Sequence, residues 1–340
     1  MKRDDEKSVS LENLDIGYIA RRDHNILLSS LTATAEKGEL VALAGRNGIG
    51  KSTLLRTIAG LQPSLGGSAK IGRKEVSEHL RMELALKLGY ISTENVNFGN
   101  MRVYDLVALG RFPHTNWMGK IDQENHAIII DALNKTSIID LKDRYVSQIS
   151  DGEKQKAMIA RIIAQDARIM IMDEPTAFLD TGSRYEILHL MRRLSRDHGK
   201  TIIFSTHDLH MAISQADKIW LISKGKMEEG APEDLMMNGS FDHLFDSPNV
   251  VFNSSDATFS FNQAPSGSVS IDGSGPQRFW LEKALNRIGM SVSEEIKSPL
   301  ILLNRGEDKK YGLVTMGVTR LFSSVYEVIE ALREEVHITV

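Results

Sequence analysis

The stretch GRNGIGKST, Gly45 to Thr53, is the first place where residue type and spacing point to chemistry. It fits G-x-x-x-x-G-K-[ST] and lies between an apolar run, ELVALAG, and a run with helical spacing, GKSTLLRTIAGL. Gly45, Gly48 and Gly50 let backbone N–H groups curl around phosphate oxygens. Lys51 can reach β and γ phosphates, and the Ser52 hydroxyl can ligate Mg2+. Arg46, Asn47 and Thr53 complete the candidate loop. In a strand–loop–helix setting an accidental match is remote, so the stretch reads as a nucleotide site.

A second stretch, RIMIMDEPT, ends an apolar run in two acids. Alone it is as well explained by a capped turn. Paired with Gly45–Thr53, Asp173 is placed to hold Mg2+, directly or through water, and Glu174 to orient or deprotonate an attacking water. His207 ends the next apolar run, TIIFSTH, where it could reach a γ-phosphate from a neighbouring strand tip. A third stretch, QISDGEKQKAMIARIIAQD, reads as a helix start. Ser150 can cap it and Glu153 stands at capping-box spacing. A helix N-terminus also suits an anion, yet Asp151 and Glu153 put two acids there. Taken alone, a capped helix is the better reading.

Short apolar runs (ELVALAG, LGYIST, ARIMIMDE, TIIFSTH) have the texture of buried parallel strands, and residues 102–166 are mostly helical in pattern. The fold expected is therefore α/β with a helical insert. The segment SSDATFSFNQAPSGSVSIDGSG, rich in Ser, Gly and Asn, marks a boundary. Beyond it, PQRFWLEKALNRIG and SSVYEVIEALREE read as helices, and PLILLN and YGLVTMGV as strands, a small α+β unit. Its helical stripes, Phe279, Trp280, Ala284, Leu285 and Ile288, and Val325, Val328, Ile329 and Leu332, are expected to build its core. The domains expected are 1–240, with a helical part over about 95–166, a linker at 241–265, and the α+β unit at 266–340.

At 340 residues with 41% hydrophobic and 25% charged content, the chain has the composition of a globular protein with a substantial core. A net charge of −4 gives no global basic field for nucleic acid, and the lack of cysteine excludes thiol chemistry and disulfides. The first residues, MKRDDEKSVS, carry no apolar core, so no signal peptide is expected. No apolar run approaches the ~18 residues that span a bilayer.

In this order the elements resemble the ATP-binding subunit of an ABC transporter over about residues 8–235. Gly45–Thr53 matches its Walker A loop, Ile169–Glu174 its Walker B strand, Asp180 its D-loop and His207 its switch histidine. Tyr18 falls where the family stacks an aromatic on adenine, and Ile149–Glu153 replaces its LSGGQ signature. The resemblance implies a P-loop NTPase with an antiparallel β subdomain and a helical subdomain, hydrolysing ATP with Mg2+. It also implies a head-to-tail homodimer, in which Ser150, Asp151, Gly152 and Glu153 of one subunit face the γ-phosphate held by the other. Ser150 and Gly152 are then the phosphate contacts, with Asp151 turned away. The anion site and the capped helix become one feature.

The chain departs from the family at two places. Asp151 and Glu153 stand where Gly and Gln are usual, and the Q-loop glutamine is replaced by Thr93 followed by Glu94. Either of the latter can offer oxygen to Mg2+ or water, and the sequence does not choose. The run VYDLVALGRFPHTNWMGKID with QENHAIIIDALN is similar to importers of iron–siderophore, haem or cobalamin. Such subunits sit peripherally on the cytoplasmic face of the inner membrane, on a permease dimer fed by a periplasmic or lipoprotein substrate-binding protein. The rival is a soluble ABC-type ATPase, for example in iron–sulfur cluster assembly. The α+β unit is expected to be regulatory or dimer-stabilising, without chemistry of its own.

Overall fold

The computed structural model describes residues 7–20, 23–93, 98–115, 121–242, 244, 250–253, 258–261, 265–294, 298–303 and 310–338. The chain divides into two compact units, 1–247 with 252–260, and 248–251 with 261–340.

The larger unit opens with β1 (Lys7–Ala20), β2 (Asp23–Glu36) and β3 (Leu40–Gly45), followed by α1 (Lys51–Ile58), β4 (Gly66–Ile71) and β5 (Lys74–Glu75). Next come α2 (Arg81–Ala85), β6 (Leu88–Ile91), α3 (Val103–Ala108), α4 (Gln123–Lys135) and α5 (Asp151–Ala164). It continues with β7 (Ile169–Met172), α6 (Thr181–His198), β8 (Thr201–Thr206), α7 (Leu209–Gln215), β9 (Lys218–Ser223), β10 (Lys226–Gly230) and α8 (Pro232–Met237). Strands β2-β1-β4-β5 make an antiparallel sheet. The second sheet runs β10-β9-β3-β8-β7-β6 and is parallel except for β10.

The parallel strands are buried on both faces, which is why they read as unbroken apolar runs. Leu40, Ala42, Ala44, Met170, Met172, Ile202 and Phe204 enter one core, shared with the helices of the insert. Val41, Leu43, Ile169, Ile171, Ile203 and Trp220 enter the other, shared with α1 and the antiparallel sheet. Period-two alternation thus divides each strand between two cores.

In the helical insert, the GRFPH motif forms a 3-10 turn between α3 and α4. Arg111 is only 6% exposed; its Nε donates to Asn125 Oδ1 of α4 at 2.6 Å and its Nη1 to Ala164 O of α5 at 2.6 Å. His114 Nε2 lies 2.9 Å from Gln165 O. Gly110 packs so closely that a Cβ there would sit 2.0 Å from Arg161 O. The motif is an internal clamp that fixes α5 against α3 and α4.

The smaller unit contains β13 (Gly267–Asp272), α9 (Pro276–Arg287), β14 (Met290–Val292), β15 (Leu300–Leu303), β16 (Tyr311–Thr315), β17 (Val318–Phe322) and α10 (Val325–Ile338), preceded by a pair formed by β11 (Val250–Asn253) and β12 (Thr258–Phe261). Its sheet has the order β14-β13-β15-β16-β17. Of the expected core stripes, Leu285, Ala284, Val328, Ile329 and Leu332 are buried, while Ile288 and Val325 pack at the margin. Phe279 and Trp280 are instead 48% and 65% exposed, and Leu281 fills the core position. The side-chain direction of α9 turns that face outward. Nor is 241–265 a bare linker: Phe241, Leu244 and Phe252 are buried in the larger unit's core, and two paired strands lie within the span.

Candidate nucleotide-binding and hydrolysis site

The parallel sheet brings four chain segments to one edge, the carboxyl ends of β6, β7, β8 and β3, which is where open α/β sheets bind ligands. From β3 the chain leaves through Gly45–Gly50 into α1. Gly48 and Gly50 adopt φ of 78° and 112°, a conformation that favours glycine and lets the loop backbone curl. Lys51 is 5% exposed, and its Nζ donates to Gly45 O at 2.8 Å and Arg46 O at 3.1 Å. Burial pushes its pKa down, and the nearby Glu174 and Asp173 carboxylates oppose the shift. The ammonium is thus held over the loop, facing the acids. Arg46 and Asn47 are exposed at the loop's outer side, and Ser52 is half-buried in the first turn of α1. Tyr18 is 49% exposed, with its hydroxyl 3.0 Å from Thr53 Oγ1. Its ring is therefore tied to the start of α1.

Asp173 follows β7 and is 1% exposed. Met172 pairs in register with Phe204, so the next residues, Asp173 and Ser205, face each other. Ser205 Oγ donates to Asp173 Oδ1 at 2.7 Å and accepts the Glu174 N–H at 2.8 Å. Thr93, just beyond β6, places its Oγ1 3.4 Å from Asp173 Oδ2. Glu94 lies outside the described residues. Glu174 has φ of 46°, and its Oε2 stands 3.4 Å from His207 Nδ1. The structure therefore gathers Lys51, Thr93, Asp173, Glu174 and His207. Ser205 was missed by the sequence reading. Its signal was a hydroxyl inside a strand buried on both faces, where a polar group needs a partner.

Ser150 caps α5: its Oγ accepts the Glu153 N–H at 3.3 Å, and Glu153 Oε2 accepts from Ser150 N at 2.8 Å and Oγ at 2.9 Å. These bonds hold the Glu153 carboxyl below the usual range. Asp151 pairs with Lys154 at 2.9 Å. Gly152 lies against α6, where a Cβ would come 2.8 Å from Ser183 Oγ. Asp180 caps α6, accepting from Ser183 N at 3.0 Å and Ser183 Oγ at 2.7 Å, which lowers its pKa. A cavity of about 550 Å3 is lined by Thr93, Asp151, Lys154, Gln155, Asp173 and Glu174, so the start of α5 and the two acids share one space. Among the described residues no helix is long and apolar enough to cross a membrane.

The ABC transporter family profile matches residues 28–177, and that of the iron ABC transporter C-terminal domain matches residues 266–333. The petrobactin import ATP-binding protein of Bacillus anthracis is 31% identical over 233 residues, covering 68% of this chain and 86% of the relative. The ferric enterobactin transport ATP-binding protein of Escherichia coli is 32% identical over 226 residues, 66% of this chain and 82% of the relative. A solved transporter assigned to the metal-chelate type, in an inward-facing conformation, superposes with a TM-score of 0.63 at 25% identity, covering 74% of this chain and 95% of the other. With a phosphate loop, two strand-end acids and a histidine on adjoining strands, the chain belongs to the ATP-binding ATPase subunits of ABC transporters.

Proposed function

We propose that this ATPase powers the import of an iron chelate (siderophore or haem), or else of cobalamin, through a separate permease dimer. It sits peripherally on the cytoplasmic face of the membrane and receives its signal indirectly from a periplasmic or lipoprotein binding protein. One observation carries the reading: the cassette and a unit matched by the iron ABC transporter C-terminal profile occur in one chain. The iron-chelate importers among its relatives support the same choice over a soluble iron–sulfur assembly ATPase.

In this reading Gly45, Arg46, Asn47, Gly48, Gly50, Lys51, Ser52 and Thr53 bind the triphosphate and Tyr18 meets the base. Glu174 orients the attacking water and takes its proton on a carboxylate oxygen, with His207 beside it. Ser52, Asp173 and Thr93 offer only oxygen donors, a set that suits Mg2+. The ion, when bound, would neutralise charge on the phosphates. Two copies face head to tail, so that Ser150 and Gly152 of one contact the γ-phosphate on the other, with Asp180 near the shared boundary. The C-terminal unit stabilises or regulates that dimer.

The test is uptake of labelled ferric siderophore, haem and cobalamin by cells lacking the gene. Uptake of one of them should return with the wild-type chain and not with Lys51→Ala. The subunit should sediment with membranes only while its permease is present. Unchanged uptake of all three in the deletion strain would refute the substrate class.

A further inference from the structure

We infer that Ser205 is a positioning residue that locks the two acids of the hydrolysis site to each other. The inference rests on the ATPase reading of that site. Ser205 is wholly buried, and its hydroxyl has one hydrogen to give. An ionised carboxylate only accepts and a backbone N–H only donates, so the direction of both bonds is forced. Ser205 gives its hydrogen to Asp173 Oδ1 at 2.7 Å and takes the Glu174 N–H at 2.8 Å. The Thr93 hydroxyl also approaches Asp173, but at 3.4 Å its hold is much weaker.

Glu174 needs such a hold. Its φ of 46° is a left-handed conformation that a glutamate adopts only when its surroundings impose it. Ser205 lies in β8 and His207 directly follows its last residue, so both reach Glu174 from one strand end. One takes the backbone N–H of Glu174, and the other lies 3.4 Å from its carboxylate. The end of β8 thus grips Glu174 at both ends and fixes its bearing relative to Asp173.

The test uses the full chain with Ser205→Ala and Ser205→Thr. Three quantities are read: the ATPase rate and KM, thermal unfolding, and binding of a non-hydrolysable ATP analogue at varied Mg2+. Groups that orient such ligands are commonly worth ten- to a hundredfold. Ser205→Ala should therefore lose about tenfold or more in kcat with KM nearly constant. It should also need several-fold more Mg2+ for tight analogue binding, and Ser205→Thr should restore both. If Ser205→Ala does not fold, Ser205→Cys, of similar size and a weak donor, should show the same two losses. Wild-type kcat and Mg2+ dependence in Ser205→Ala would overturn the proposal, as would equal defects in Ala and Thr variants that both fold. A wild-type chain without ATPase activity would instead overturn the underlying reading.

Discussion

Replacing Asp151 by glycine restores the residue usual in the ABC signature and removes one charge from the start of α5. Asp151 is paired with Lys154 at 2.9 Å, with side chains 70% and 39% exposed. The pair is a surface ion pair and stabilises the fold by at most about 1 kcal/mol. Its larger effect is electrostatic: loss of Asp151 changes the local charge from zero to +1, because Lys154 remains. At about 8 Å from a phosphate in a water-like dielectric, one unit charge is worth about 0.5 kcal/mol per phosphate charge. A doubly charged γ-phosphate makes this about 1 kcal/mol, and two symmetric sites about 2 kcal/mol. Screening at physiological salt, over about one Debye length, leaves about 0.7 kcal/mol, a three- to fourfold tighter ATP-bound dimer. The glycine costs about 0.5–1 kcal/mol of helix stability, so the melting temperature falls by a few degrees. Sedimentation equilibrium with ATP, in a Glu174→Gln background at low and high salt, measures the dimer. Lys154→Ala should weaken it by a similar factor, and both effects should shrink at high salt. A weaker dimer in Asp151→Gly, or one indifferent to salt, would refute the reasoning.

Glu174→Gln should retain nucleotide, abolish turnover and accumulate the ATP-bound dimer, whereas Lys51→Ala should lose most nucleotide affinity; equilibrium binding and phosphate release measure both. Gly110→Ala forces a Cβ to within 2.0 Å of Arg161 O, so α5 must shift by about 1 Å or the fold must lose about 3 kcal/mol. A urea melt and the ATPase rate should both register it. The Glu153 carboxyl is held below its ordinary 4.5, so its stabilising contribution is complete above that pH and is lost as pH falls through the lowered value. The stability gap between wild type and Glu153→Gln, no more than about 1 kcal/mol, should close correspondingly in acid melts. Truncation after Ser260 should leave ATP binding measurable. Truncation after Gly239 removes buried Phe241, Leu244 and Phe252 and should cost several kcal/mol more, read by thermal unfolding with and without ATP.

The site was legible where one residue type has one job. The glycine loop with Lys51 announces itself because few other structures need it, and it decides the reading of Asp173 and Glu174, which alone fit a capped turn equally well. The strands β3, β7 and β8 were legible because burial on both faces makes them mostly apolar, with the polar residues of β8 confined to its ends. Partnerships were less legible. Whether Asp151 points into solvent or to Lys154, and that Arg111 reaches two helices, depends on side-chain direction across the fold. The pairing of β11 with β12 was hidden because each strand is only four residues long and set among Ser, Asn and Gly, and pairing across a sheet leaves no local pattern. Phe279 and Trp280 misled for a related reason. A helix with apolar residues on several sides does not say which side faces its sheet.

The alternation of β3, β7 and β8 between two cores has a consequence for how the molecule opens. Each strand gives neighbouring side chains to opposite cores, so neither core can come apart without stripping one face of the same three strands. The sheet behind Lys51, Asp173 and His207 is therefore a party wall, and the backbone amides within β3, β7 and β8 have no cheap local route to solvent. Their exchange with deuterium should follow global unfolding of the larger unit, while the exposed turn at Lys224 and Gly225 should exchange far sooner. In the proposed ATP cycle, motion would fall to the segments attached to this wall, such as Thr93 and the start of α5, while the wall holds Asp173 in place.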